Sequence, residues 1–244
     1  MKQEEIRINK FLSEAGVCSR RGADRLVEEG RVCIDGKRAV LGDHVLLGQK
    51  ITVDGKAISR EEDKILLAFH KPKGIVCTAE KREKNNIIDY LNYPKRIYPV
   101  GRLDKDSEGL ILLTNDGELG NAILKARNRH EKEYIVTVNR PVTEDFLRGM
   151  AGGVPILDTM TRKCLVEKLD KRKFRIVLTQ GLNRQIRRMC EYFGYRVVRL
   201  IRVRIMNIEL GDLPVGSYRE LTEREWKELL AALDRDSERT GEGA

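Results

Sequence analysis

Between Tyr98 and Gly117 the chain reads Tyr-Pro-Val-Gly-Arg-Leu-Asp-Lys-Asp-Ser-Glu-Gly-Leu-Ile-Leu-Leu-Thr-Asn-Asp-Gly. Three carboxylates, Asp104, Asp106 and Glu108, thus stand within five positions just ahead of Gly109. Carboxylates this close can ligate a cation, act as a nucleophile or base, or simply close a turn between two strands. A calcium loop of the form D-x-D-x-[DN]-G fails, because its ninth position is Leu112 and its twelfth is Asn115, where a bidentate Glu is required. A metal-nucleotide site built on Asp104-Lys105-Asp106 lacks any phosphate loop of the G-x-x-x-x-G-K-[ST] or G-x-G-x-x-G kind. His44, His70 and His130 are scattered, and the five cysteines never fall in a C-x-x-C spacing, so no local metal set and no disulfide framework is read. Read from the residues alone, the cluster is an Asp-Ser turn between two strands.

The second candidate is an arginine face. At about 100° per residue, with Arg184 at 0°, Arg187 lies near 300° and Arg188 near 40°, while Ile186, Met189, Cys190 and Phe193 fall between about 140° and 240°. Three guanidiniums share one face of a helix over 183–193 and the core side chains share the other. Its start after Gly181 and Asn183 adds free backbone N–H groups suited to phosphate or carboxylate. Solvated helices carry such stripes too, but here acids are scarce: residues 171–204 hold eleven basic side chains against Glu191 alone, and the whole chain carries a net charge of +9. One-signed charge interleaved with apolar residues points to a polyanion, and nucleic acid is the favoured one.

The elements that must position these groups form two parts. Ile8, Phe11, Leu12 and Ala15 repeat at helical spacing up to Gly16. Ser19 caps a second helix carrying Ala23, Leu26 and Val27 up to Gly30. Short paired strands follow around Asp35-Gly36 and Asp54-Gly55. The polar run Ser59 to Lys64 reads as a linker. Beyond it the sequence predicts strands at 65–69, 97–103, 110–113, 134–138, 174–178 and 197–203, with helices near 118–126, 143–149, 183–193 and 222–233. Strands and helices do not alternate regularly, so an α+β domain with a mixed, mostly antiparallel sheet fits better than a doubly wound one. The polar tail 234–244 is expected to be disordered. With 244 residues, 41% hydrophobic and 35% charged, the chain reads as a soluble cytoplasmic protein without a signal or spanning segment.

The run RINKFLSEAGVCSRRGADRLVEEGRVCIDGKRA resembles the S4 domain, an RNA-binding module, over roughly residues 6 to 53. That resemblance implies an RNA-binding domain at 1–60 with Arg7, Arg20, Arg21, Arg25, Lys37 and Arg38 on the RNA. Three further blocks are similar to the RsuA-type pseudouridine synthases. They are Gly101-Arg102-Leu103-Asp104 with Ser107-x-Gly109-Leu110, His130-Glu131-Lys132-Glu133-Tyr134, and Gly181-Leu-Asn-Arg-Gln-Ile-Arg-Arg-Met-Cys-Glu-Tyr-Phe-Gly194.

This second resemblance implies a catalytic domain at 65–233 of pseudouridine synthase type. It implies an isomerase acting on a flipped-out uridine in a stem-loop of 23S rRNA, as a monomer and with no metal, nucleotide or other cofactor. By the family's pattern Asp104 is the nucleophile, toward the sugar C1′ or the uracil ring, and Arg187 is its partner. Tyr134 stacks on the base and Leu200 walls the pocket. Arg102 is assigned to RNA backbone or the vacated base position, provided the strand breaks before Leu103, and Arg184 and Arg188 are assigned to phosphates. Two alternatives stay open: an S4-type rRNA-binding assembly factor without catalysis, and a related synthase acting on small-subunit rRNA or tRNA. The cofactor expectation is directly testable. Purified protein treated with a chelator and given no nucleotide is expected to convert uridine in its RNA; strict dependence on a divalent ion at the chemical step would restore the Asp104–Asp106 metal reading.

Overall fold

A computed structural model describes residues 5–46, 48–59, 63–80, 82–125 and 129–239. The chain divides into two compact units, Met1–Lys64 with Pro94–Arg96 and Asn115–Gly117, and Ile65–Tyr93, Ile97–Thr114 and Glu118–Ala244. Of the expected linker, Arg60, Glu61 and Glu62 lie outside the described residues.

In the first unit the two predicted helices are Ile8–Glu14 and Arg20–Glu28. Ser19 caps the second, its side chain accepting from Gly22 N at 3.1 Å, which satisfies one of the donors a helix start leaves open. Strands Val32–Ile34, Lys37–Arg38, Ile51–Val53 and Lys56–Ile58 form one antiparallel sheet. The Asp-Gly pairs take positive φ at both residues, 49° and 80° at Asp35-Gly36 and 51° and 77° at Asp54-Gly55, the backbone twist that two-residue hairpins need. Helices and sheet close over Leu12, Ala23, Val32 and Ile51. Glu5–Arg7 pairs with His44–Leu46, a three-residue ladder too short to show as alternation in the sequence.

The second unit is built on a nine-stranded sheet. Its main path runs Leu165–Asp170, Lys173–Leu178, Lys132–Val138, Val197–Ile205, Glu108–Thr114, Leu66–Lys71, Tyr218–Glu220, with Ile208–Glu209 and Tyr98–Val100 paired alongside. Pairing is antiparallel except between Val197–Ile205 and Glu108–Thr114, so the sheet is mixed and mostly antiparallel. The central strands are covered on both faces and are therefore unbroken apolar runs. Leu67, Phe69, Ile111 and Leu113 enter one core, and Leu66, Ala68, Leu110 and Leu112 the other. The first core also takes Tyr134, Val136 and Leu200, and the second takes Leu229 and Leu233 of the last helix. Among the described residues no helix is long and apolar enough to cross a membrane.

Elements of this unit not expected from sequence include strand Leu165–Asp170, helix Ile87–Leu91, strand Tyr218–Glu220 and the two-residue strands Pro155–Ile156, Thr159–Met160 and Ile208–Glu209. The last helix also corrects the disordered-tail expectation, because it runs Glu223–Arg239. Residues 240–244 lie outside the described residues. Asp236 accounts for the extension: its carboxylate meets His130 Nε2 at 2.8 Å, a tertiary contact that composition does not announce.

At the parallel seam, Gly109 has φ 111°, and a Cβ placed there would stand 2.3 Å from the Arg202 carbonyl oxygen and 2.5 Å from its N. Both facts demand glycine, whereas Gly211 has φ 53° but open space around it. Gly211→Ala is expected to cost about 1 kcal/mol and Gly109→Ala at least about 3 kcal/mol, backbone strain and overpacking adding at the seam. Urea midpoints of the two variants measure the difference, and equal midpoints would refute it.

Candidate active site

Strand Tyr98–Val100 ends where Gly101 takes φ 78°, three residues earlier than the sequence reading. The break turns residues 101–107 into a loop and brings Arg102 and Asp104 to line one cleft. The loop is held from inside. Buried Leu103 donates its N–H to Cys77 Sγ at 3.3 Å, and Ser107 N closes a turn on the Asp104 carbonyl at 3.0 Å. The Lys105 carbonyl accepts from Gly74 N at 2.8 Å. Fully buried Lys71 donates from Nζ to the Ser107 and Pro72 carbonyls, both at 2.8 Å. Arg202, 3% exposed, donates from Nε to the Leu110 carbonyl at 2.6 Å and from Nη1 to the Arg102 carbonyl at 3.4 Å.

The cleft these residues line measures about 490 Å³, and Tyr134, Leu178, Leu200 and Lys132 form its wall. A space of that size admits a nucleotide-sized ligand. Asp104 presents a carboxylate about one-third exposed. Arg187 Nε stands 3.9 Å from its Oδ2 and Arg184 Nη1 3.8 Å from the same atom. Arg184 also lies 4.0 Å from Asp106. These separations give charge pairing without hydrogen bonds, leaving the Asp104 lone pairs open toward the cleft. Arg187 is itself oriented by donating from Nη2 to the Asp106 carbonyl at 3.2 Å and to Ser107 Oγ at 3.3 Å. Two lysines near the cleft are held below their ordinary range: Lys71 and Lys132 by burial, with Arg202 pushing each further in the same direction.

The arginine face differs from its sequence reading. The helix is Gln185–Tyr192, and Arg184 sits at its N-cap with φ 50°, off the helical wheel. Arg184 is thereby turned toward Asp104, while Arg188 folds back to donate to the Asn183 carbonyl and Oδ1 at 3.2 and 3.3 Å. Of the three guanidiniums, Arg184 and Arg187 reach the cleft and Arg188 does not. On the first unit, Arg7, Arg20, Arg21, Arg25, Lys37 and Arg38 are all exposed.

Sequence reasoning missed Lys71, Arg202 and Lys132. Lys132 lay inside a quoted block, but Lys71 ends an apolar strand and Arg202 is one of three arginines on its strand, and such cations usually snorkel to water. Only pairing shows that both are buried at the foot of the loop.

Residues 65–192 match the RNA pseudouridylate synthase family and residues 6–51 the S4 domain. The dual-specificity RNA pseudouridine synthase RluF of Salmonella typhi is 55% identical over 95% of this chain and 81% of its own length, and that of Escherichia coli K12 54% over 97% and 82%. The chain belongs to the RNA pseudouridine synthase family. The ribosomal large subunit pseudouridine synthase B of Bacillus subtilis is 36% identical over 93% of the chain and 97% of its own length. A crystal structure of a pseudouridylate synthase superposes with a TM-score of 0.67 at 28% identity, covering 92% of this chain and 99% of that one. As a member of this family of isomerases the protein is an enzyme, which removes the assembly-factor alternative.

Behind the Tyr134 strand, Glu133 accepts from Arg175 Nε at 2.6 Å and Nη2 at 3.1 Å, and from Arg204 Nε at 2.9 Å. Hydrogen bonding to Arg175, with help from Arg204, holds its carboxyl below the usual carboxylate range. A depressed carboxylate contributes stability above its unfolded pKa of about 4.3 and loses it as pH falls through the folded value. Glu133→Gln is expected to lower stability by about 2 kcal/mol at pH 7, with the gap to wild type closing below about pH 4. Denaturant melts across pH read this directly, and a gap independent of pH would refute it.

Proposed function

We propose that the protein converts a uridine of 23S rRNA to pseudouridine with Asp104 as nucleophile and no cofactor. The observation that carries the assignment of Asp104 is its position: a carboxylate with free lone pairs, flanked by two arginines, lining a cleft that admits a nucleotide. The isomerisation breaks the bond from N1 to C1′ and forms one from C5 to C1′, while N1 gains a proton and C5 loses one. Redox equivalents and phosphate energy play no part. A stacked uracil cannot reach Asp104, so it must flip out at a cost of a few kcal/mol. Tyr134 then stacks on the ring, Leu200 packs behind it, and Arg102 borders the flipped nucleotide. Arg202 Nη2, buried without a hydrogen-bond partner among the described residues, offers a donor to a uracil carbonyl. Whether Asp104 attacks C1′ or the ring, its charge is balanced in the cleft by Arg187 and Arg184.

The target reading rests on names borne by relatives, a ribosomal large subunit synthase and dual-specificity synthases. The latter support a second RNA target for this enzyme. Residues 1–60 would grip a structured RNA element through the exposed Arg7, Arg20, Arg21, Arg25, Lys37 and Arg38, and 65–233 would carry the chemistry. The proposal sets the enzyme in the cytoplasm as a monomer on a stem-loop substrate. Pseudouridine mapping of rRNA and tRNA from cells with and without the gene tests the target; loss confined to small-subunit rRNA or tRNA would overturn it.

Asp104→Asn and Asp104→Ala are expected to retain less than about one-thousandth of the turnover, with RNA affinity changed only several-fold. Arg187→Ala is expected to lower the single-turnover rate about 100-fold or more while barely weakening binding. Tyr134→Phe is expected to be milder than Tyr134→Ala. Single-turnover pseudouridine release assays and filter binding check these, and appreciable turnover by either Asp104 variant would remove it as nucleophile.

A further inference from the structure

The eleven cations between residues 171 and 204 do not form one surface. Arg184, Arg187 and Arg202 line the cleft, where Lys132 pairs with Leu178 and Tyr134 with Arg202 across the sheet. Lys171, Arg172, Lys173 and Arg196 lie at the other end of those same strands, where Thr137 pairs with Lys173 and Val138 with Val197. Val138 lies four positions beyond Tyr134, about 13 Å along a strand at roughly 3.3 Å per residue.

Arg140 joins this second group from a third segment. Its guanidinium lies 4.1 Å from the centre of the Tyr195 ring and donates to the Phe193 carbonyl at 2.8 Å. The three segments are stitched through their backbones. Val142 N donates to the Lys171 carbonyl at 2.8 Å, Val138 N to that of Arg172 at 3.0 Å and Asn139 N to that of Arg196 at 3.0 Å. Arg196 N returns a bond to Asn139 Oδ1 at 2.8 Å, and the Tyr195 hydroxyl donates to the Pro141 carbonyl at 3.0 Å. Main-chain groups are used internally, so the side chains of Lys171, Arg172 and Arg196 are what the turns present to solvent, all exposed. The adjacent carboxylate, Asp170, accepts from Lys171 N at 2.6 Å and pairs across the hairpin with Lys173. Lys171, Arg172 and Arg196 form no ion pair among the described residues. Tyr192, 57% exposed, ends the helix beside the Phe193–Tyr195 turn.

We infer that this end of the sheet is a second RNA-binding surface of the catalytic unit, which grips phosphates of the RNA beyond the nucleotides that adjoin the flipped one. The inference rests on the RNA reading above and extends it to residues outside the cleft. Rigid turns carrying unpaired cations lose little freedom when they bind, and phosphates are the partner that rewards them in proportion to their number. Tyr192, exposed at the helix end four positions before Arg196, offers a ring on which a splayed base can stack.

The test compares wild type with the triple variant Lys171→Ala/Arg172→Ala/Arg196→Ala on two RNAs, a full 23S rRNA transcript and the shortest fragment of it that wild type still binds. On the transcript the variant is expected to bind 10- to 100-fold more weakly near 0.15 M salt, roughly, with its salt slope reduced by about 2. On the short fragment its affinity is expected within twofold of wild type, and its single-turnover rate at saturating RNA unchanged. The triple lysine/arginine exchange, Lys171→Arg/Arg172→Lys/Arg196→Lys, is expected to restore binding, which a merely structural role for these side chains does not predict. A loss under twofold on the transcript, or an equal loss on both RNAs, overturns the inference. Binding is read whether or not the transcript is modified. A wild-type protein that binds but modifies nothing therefore refutes the target assignment and leaves this surface judged on the variant alone.

Discussion

One close approach governs the catalytic unit: the backbone of Gly109 against that of Arg202 at the parallel seam of the sheet. Because no side chain intervenes, strand Glu108–Thr114 can sit near enough for the Arg202 guanidinium to reach across to the Leu110 carbonyl and back to that of Arg102. The same strand fixes Ser107, whose carbonyl anchors buried Lys71. Two cations removed from water are thereby spent on backbone carbonyls rather than on carboxylates. A buried charge without a partner is costly, and carbonyl dipoles compensate it only in part. The arrangement is stable because it occurs where packing on both faces of the sheet already fixes the strands, and its return is a loop of defined shape holding Asp104.

The division of labour among charges follows from this. Lys71 and Arg202 shape the loop from beneath, Arg187 is oriented by the loop's own Asp106 carbonyl and Ser107 hydroxyl, and Arg184 closes on the carboxylate from the helix cap. Had Arg187 or Arg184 made a bidentate hydrogen-bonded pair with Asp104, the carboxylate oxygens would be occupied. Near 3.9 Å the attraction persists and the lone pairs remain available. Preorganised charge of this kind acts without reorganisation at the moment of reaction.

How much of this could be read from sequence depended on whether the signal was local. The S4 helices, their Ser19 cap and the Asp-Gly hairpins are local and were legible. Asp104, Tyr134 and Arg187 were singled out through the family resemblance, and the structure brings them to one cleft; Arg184 was misplaced because a left-handed N-cap takes it off the wheel. Lys71 and Arg202 were illegible because a cation in a strand of apolar residues has two fates, snorkelling or burial, and only strand pairing decides between them. The same reason hid the end of the last helix, where Arg235 to Arg239 carries no apolar periodicity and contact with His130 supports Asp236. Strand Leu165–Asp170 failed for a related cause: as an edge strand it exposes Leu165 and Leu169, so alternation marks no buried face.

The positive block at 171–204 shows what a linear charge count conceals. Read along the chain it is one patch; folded, antiparallel pairing sends alternate stretches of it to opposite ends of the sheet, because a hairpin returns each strand to where its neighbour began. The cleft end gathers guanidiniums that face a carboxylate and are partly neutralised by it. At the far end Lys171, Arg172 and Arg196 form no ion pair among the described residues, although Asp170 stands opposite Lys173. Under the proposed isomerisation this separation is useful, since RNA phosphates bound at the far end do not compete with Asp104 for the guanidiniums that balance its carboxylate.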